Sequence, residues 1–91
     1  MAQTHNNPDS MERFAYELER FIDEIQEALN KINGSYAALG EDWQDNKRAE
    51  FDESMMEISN TISSFSDYAN ESIRYLHRQI TILREYENNI R

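Results

Sequence analysis

Residues 37–45 read Ala37-Ala38-Leu39-Gly40-Glu41-Asp42-Trp43-Gln44-Asp45, and the fold is decided by the patterns that meet there. Upstream, apolar or small side chains fall at Phe14, Leu18, Phe21, Ile25, Ala28, Ile32, Ser35 and Leu39, in alternating steps of four and three. Downstream, Phe51, Met55, Ile58, Ile62, Phe65, Ala69, Ser72, Leu76, Gln79, Leu83, Tyr86 and Ile90 keep the same rhythm. Such spacing puts every second step on one face of a helix, so the chain describes two long amphipathic helices. Gly40 follows the last apolar position of the first pattern, where a left-handed C-cap is inexpensive. Glu41 or Asp42 can then cap the second helix, with Asp45 three residues beyond Asp42. A connection of about two to four residues makes consecutive helices antiparallel neighbours.

Working outward, residues 1–9 are polar and read as a disordered leader, with the first helix starting near Ser10 because Asp9 and Glu12 have capping-box spacing. The reading is therefore all-α: a hairpin over residues 10–91, with helix 1 at about 10–39, a turn at about 40–42 and helix 2 at about 43–90. A flanking row at Ile22, Leu29 and Tyr36 widens the first stripe beyond a two-helix seam. Gly34 lies inside the repeat and is read as tolerated within the helix. Ser59 to Ser72 holds many Ser, Thr and Asn residues, poor helix formers that make a kink around 63–72 an open question.

Helix 1, about 28 residues, spans roughly 40 Å, whereas a continuous helix 2 of about 48 residues reaches roughly 70 Å. Pairing outward from Gly40 sets Phe14 opposite Phe65 to Ala69 and leaves Ile73, Leu76, Ile80, Leu83 and Ile90 without a partner helix. Large side chains are worth about 1.5–3 kcal/mol each when fully buried, so the overhang predicts association of hairpins into a four-helix bundle. The predicted interface is Ile73, Leu76, Ile80 and Leu83, rimmed by Arg74 and Arg78. The alternative is a bend after Ser63 that folds the last twenty residues back as a third helix.

The formal charge of −9, from 18 acidic and 9 basic residues, argues against nucleic acid and anionic membrane surfaces as partners. No apolar run approaches the roughly 20 residues that span a bilayer, so membrane insertion is not expected. MAQTHNNPDS lacks the basic and apolar segments of a general secretory signal. The expected location is the cytoplasm, with export by another route as the alternative. Cysteine is absent.

No catalytic, cofactor-binding or metal-binding residues are expected. Glu19, Asp23 and Glu27 share a face, but Glu-x-x-His pairs of the kind used by di-metal bundles do not occur. His5 and His77 have no serine and carboxylate at triad-like spacing, and two glycines cannot build a phosphate loop. Trp43 is read as a plug over the end of the hairpin against Leu39 or Tyr36, with an exposed recognition anchor as the other reading.

Leu39, Gly40, Trp43, Asp45 and Phe51, set between two amphipathic helices in a chain of 91 residues, resemble the turn of the WXG100, or ESAT-6-like, family. The resemblance implies a helical hairpin that forms homodimers or heterodimers with a similar hairpin. It further implies a type VII secretion substrate, or a targeting partner or chaperone of a larger secreted protein. Trp43 falls on the family's turn tryptophan, while Asp45 stands where its glycine is expected. The family's C-terminal Tyr-x-x-x-Asp/Glu signal is not matched: Tyr68, Tyr75 and Tyr86 are followed four residues on by Ser72, Gln79 and Ile90. Export would then depend on a partner carrying the signal. The alternative function is a cytoplasmic coiled-coil scaffold or adaptor unrelated to secretion.

Overall fold

A computed structural model describes residues 6–40 and 42–89 and contains two helices, α1 (Pro8–Leu39) and α2 (Arg48–Asn89). Leader residues 1–5, Glu41 as a cap and Ile90 lie outside the described residues. The start of α1 is set by Asn7, not by Asp9 or Ser10. Asn7 is extended (φ −108°, ψ 108°), and its side-chain oxygen accepts from the backbone N–H of Asp9 (3.0 Å) and Ser10 (3.2 Å). Pro8 occupies the first helical turn, where a missing N–H goes unused, so it opens the helix two residues before the expected start.

The start of α2 moves in the opposite direction, from about 43 to Arg48. Asp45, rather than Asp42, organises the entry: its carboxylate accepts from Lys47 N–H at 2.9 Å and its carbonyl from Arg48 N–H at 3.1 Å. The connection consequently runs from Gly40 to Lys47, and Trp43 belongs to the turn instead of the helix.

This longer turn slides α1 further along α2 than a short one would. Tyr36 stacks on Phe51 at 5.6 Å, Phe21 meets Phe65 edge-on at 5.8 Å, and Arg84 reaches Asp9 at 2.9 Å and Glu12 at 3.2 Å. Up to Arg84 the expected overhang is therefore absent. Ile73 and Ile80, each 4 % exposed, are buried inside the hairpin by α1. No third helix folds back either, because α2 is one helix from Arg48 to Asn89.

The buried row of α1 is Ala15, Ile22 and Leu29, seven residues apart, which is the line the sequence shows as a flank. Facing it on α2 are Met55, Ala69, Ile73 and Ile80, with Ile22, Ala69 and Ile73 as the central cluster and Leu18 packed beside it. Ala15 and Ala69 lack bulk, which lets the backbones approach. About half of the expected seam is exposed instead, Phe14, Phe21, Phe51, Ile58 and Phe65 among it. Gly34 sits within α1, and a Cβ placed there would meet nothing within 4 Å. Ser66 is buried, and its hydroxyl has no hydrogen-bond partner among the described residues.

Three outcomes follow from this packing. Gly34→Ala removes backbone entropy from the unfolded chain at an open helical site and should raise stability by about 1 kcal/mol in urea titrations followed by circular dichroism. Ile73→Ala should lower it by about 2–4 kcal/mol, whereas a surface residue on an unpaired overhang would change it little. The third concerns pH. Hydrogen bonding to Arg84 holds the Glu12 carboxyl below its ordinary value, and Arg84 is raised in turn by its hydrogen bonds to Glu12 and Asp9. A depressed carboxylate stabilises the fold above its unfolded pKa, and that contribution disappears as pH falls through the folded value. The urea midpoint of Arg84→Ala should thus lie below wild type at neutral pH and converge with it in acid; parallel curves would exclude the clamp.

Candidate partner-binding face

Five side chains hold the turn: Tyr36, Trp43, Arg48, Phe51 and Asp52. The Arg48 guanidinium lies 4.8 Å from the centre of the Tyr36 ring, its Nε donates to the Tyr36 hydroxyl at 3.1 Å, and its Nη1 donates to the Trp43 carbonyl at 2.8 Å. The Tyr36 hydroxyl donates to the Asp52 carboxylate, and Asp52 also lies 3.5 Å from Arg48 Nε. Phe51 is the shared wall, stacked on Tyr36 and touched edge-on by the half-buried Trp43 at 5.3 Å. Desolvation, followed by the hydrogen bond to Asp52, raises the Tyr36 pKa, while the hydrogen bond to Tyr36 raises that of Arg48. Both shifts keep the ordinary protonation states.

Gly40 has a role here that differs from the expected left-handed cap. Its backbone is right-handed helical, φ −53° and ψ −34°. A Cβ at this position would stand 2.7 Å from Nη2 of Arg48, so the glycine leaves room for the guanidinium to cross the chain.

From this turn to Arg84 the hairpin presents one apolar side. Phe21 and Phe65 touch across it, which fixes the rows that share it. Phe14 and Phe21 are seven residues apart on α1; Phe51, Ile58 and Phe65 continue at sevens on α2, and Tyr68, Tyr75 and Ile82 follow them three residues on. All eight are exposed, Tyr68 at 72 %. Among the described residues thirteen large apolar or aromatic side chains are exposed, while seven apolar side chains are buried. Two helices form one layer with no enclosed interior, and such a continuous face marks an association surface.

The residues expected at the interface divide. Ile73 and Ile80 are inside the hairpin, Leu76 and Leu83 are half-buried at its seam, and Arg74 and Arg78 are exposed. Leu39 is exposed, while Gly40, Trp43, Asp45 and Phe51 meet around the turn. Arg48 escaped the sequence reading, although its spacing from Asp52 is that of an i, i+4 ion pair. Among the described residues no three His, Cys, Asp or Glu side chains converge in a way that could hold a metal ion. Among the described residues no helix is long and apolar enough to cross a membrane.

A family model for WXG100, described as proteins of 100 residues with WXG, matches residues 3–88 of the chain. No curated protein and no solved structure matches it. The Trp-x-Gly signature reads Trp43-Gln44-Asp45 here, and the acid at its third position serves as the helix-entry acceptor described above.

The Gly40 and Arg48 positions should be coupled. With Arg48 removed, a Cβ at Gly40 meets only the Ala37 carbonyl, at 3.1 Å, on a helical backbone, and Gly40→Ala should be more favourable by about 0.5–1 kcal/mol than in the wild-type background. In the wild-type background the same change displaces the guanidinium and should fail to stabilise. A double-mutant cycle by urea unfolding reads the difference, and equal effects in the two backgrounds would dissociate the glycine from the arginine.

Proposed function

Because the chain belongs to the WXG100 family, we propose that it is a non-enzymatic protein-binding hairpin of type VII secretion, either a substrate itself or the targeting partner of a larger secreted protein. The observation that carries this reading is the exposed apolar side running from Phe51 through Phe21 and Phe65 to Ile82, on a hairpin that already holds its own inner row. Its partner is a similar helical hairpin, laid face to face to complete a four-helix bundle. The position of this face supersedes the overhang as the docking surface. Leu76 and Leu83, half-buried at its edge, would contribute to it, and Arg78 would lie at its rim.

Binding suits this geometry better than catalysis does. The apolar face offers area and shape, and helix-on-helix packing needs nothing further. On this reading the paired hairpin carries the Tyr-x-x-x-acid export signal for the pair.

Phe21→Asp combined with Phe65→Asp should leave helical content nearly unchanged, because both side chains are exposed on the hairpin, yet abolish pairing. In the cells of origin, the wild-type chain should reach the medium while a cytosolic marker stays inside, and the double variant should remain in the cells. Persistent absence of the wild type from the medium, with no secreted protein bound to it, would contradict the proposal and favour a cytoplasmic scaffold.

A further inference from the structure

The edges of the apolar face carry an unbalanced charge. On α1, three residues beyond Phe14, Phe21 and Ala28 come Glu17, Glu24 and Lys31; on α2, three beyond Ser54, Tyr68, Tyr75 and Ile82 come Glu57, Glu71, Arg78 and Glu85. A step of three places each of these one turn along and on the outer margin of the row before it, so the two sets form the rims. All seven are exposed. The rims therefore hold five acids and two bases. Among the described residues only Glu24 of the five has an ion-pair partner, Arg20 at 3.3 Å.

Pairing two copies face to face would gather ten acids and four bases around one joint, on top of a formal charge of −9 carried by each chain. Turning one copy end for end does not relieve this, because both versions of the α2 rim have the same acid excess. Across a bundle the rims approach to within about a Debye length, roughly 8 Å at physiological salt, so the repulsion is felt. Rim charges of this kind select among partners of similar shape and set the salt dependence of association.

We infer that the occupant of this face is a hairpin whose rims are rich in Lys and Arg, and that the chain is built to refuse a second copy of itself. This rests on the face being a docking surface, as proposed above, and adds the chemistry of what docks. The apolar rows give affinity for any hairpin of suitable shape, and the acidic margins discriminate between basic and acidic ones.

The probe is a charge-reversed form of the same chain, Glu17→Lys, Glu57→Lys, Glu71→Lys and Glu85→Lys together, whose apolar face is unaltered. Its helical content is first checked by circular dichroism; none of the four carboxylates makes an ion pair within the described residues. Light scattering and sedimentation are then run on wild type alone and on the equimolar mixture, at about 50 mM and about 500 mM salt, where screening differs about threefold in length. The mixture should form a one-to-one complex at least about tenfold tighter than wild type with itself at low salt, and added salt should weaken the mixed pair while strengthening the self-pair. Wild type alone supplies a test that needs no variant: its self-association should increase with salt. Tight self-association at low salt, or a mixed pair no tighter than the self-pair, would overturn the inference while leaving the docking face in place. Absence of any complex at either salt would overturn the docking face and this inference together.

Discussion

The contact of Ile22 with Ala69 and Ile73 is the constraint on which the rest of the molecule depends. It lies near the middle of both helices, and the small side chain of Ala69 lets Ile22 sit close to the opposing backbone. Once this contact is made, Ala15 and Leu29 one heptad to either side are buried too, while Phe14 and Phe21, one residue away from Ala15 and Ile22, are rotated by about 100° to the margin. A helix cannot turn both stripes toward a single neighbour. The inner stripe makes the hairpin, and the outer stripe is left for another protein.

The turn determines which contacts the inner stripe makes. With the connection running from Gly40 to Lys47, Tyr36 meets Phe51, and the arm of α1 extends far enough for Asp9 and Glu12 to receive Arg84. Arg48 closes the turn from below by crossing Gly40 to reach the Trp43 carbonyl, with its guanidinium near the ring of Tyr36. The aromatic trio at one end and the carboxylate clamp at the other hold a layer that is only two helices wide and 69 Å long. At both ends the carboxylates are solvent-exposed and the arginines half-buried, so the ion pairs contribute modestly and are salt-sensitive, and the inner apolar row remains the main source of stability.

Much of this was legible in the residues themselves. Two helices and the break at Gly40 follow from spacing and turn chemistry, and Trp43 beside that break carries the family resemblance. What could not be read was rotation. When both a seven-residue row of phenylalanines and an adjacent row of Ala, Ile and Leu are present, periodicity shows a broad stripe without saying which half faces inward. The register was misread for a related reason: Asp42 and Asp45 are both good caps, and choosing the first shortens the turn and strands Ile73 and Ile80 on an overhang. Proline gave the same ambiguity at the other end, since Pro8 can exclude a helix or begin one, and Asn7 decides in favour of beginning. Gly40 has ordinary helical angles, so its reason for being glycine lies eight residues away, in a side chain that local propensity does not consider.

The register is the claim everything else inherits, and it is tested most directly by the distance between the two ends of the hairpin. Spin labels at Arg13 and Glu85 in the isolated chain, measured by double electron–electron resonance, should give a short separation within about 20 Å, because α1 then runs beside α2 as far as Arg84. In the overhanging register residue 13 would lie opposite the region near residue 68, about 17 residues from Glu85, so the labels would be offset by roughly 25 Å along the helix axis and separated by roughly 30 Å. A distribution centred on that longer distance would contradict the account.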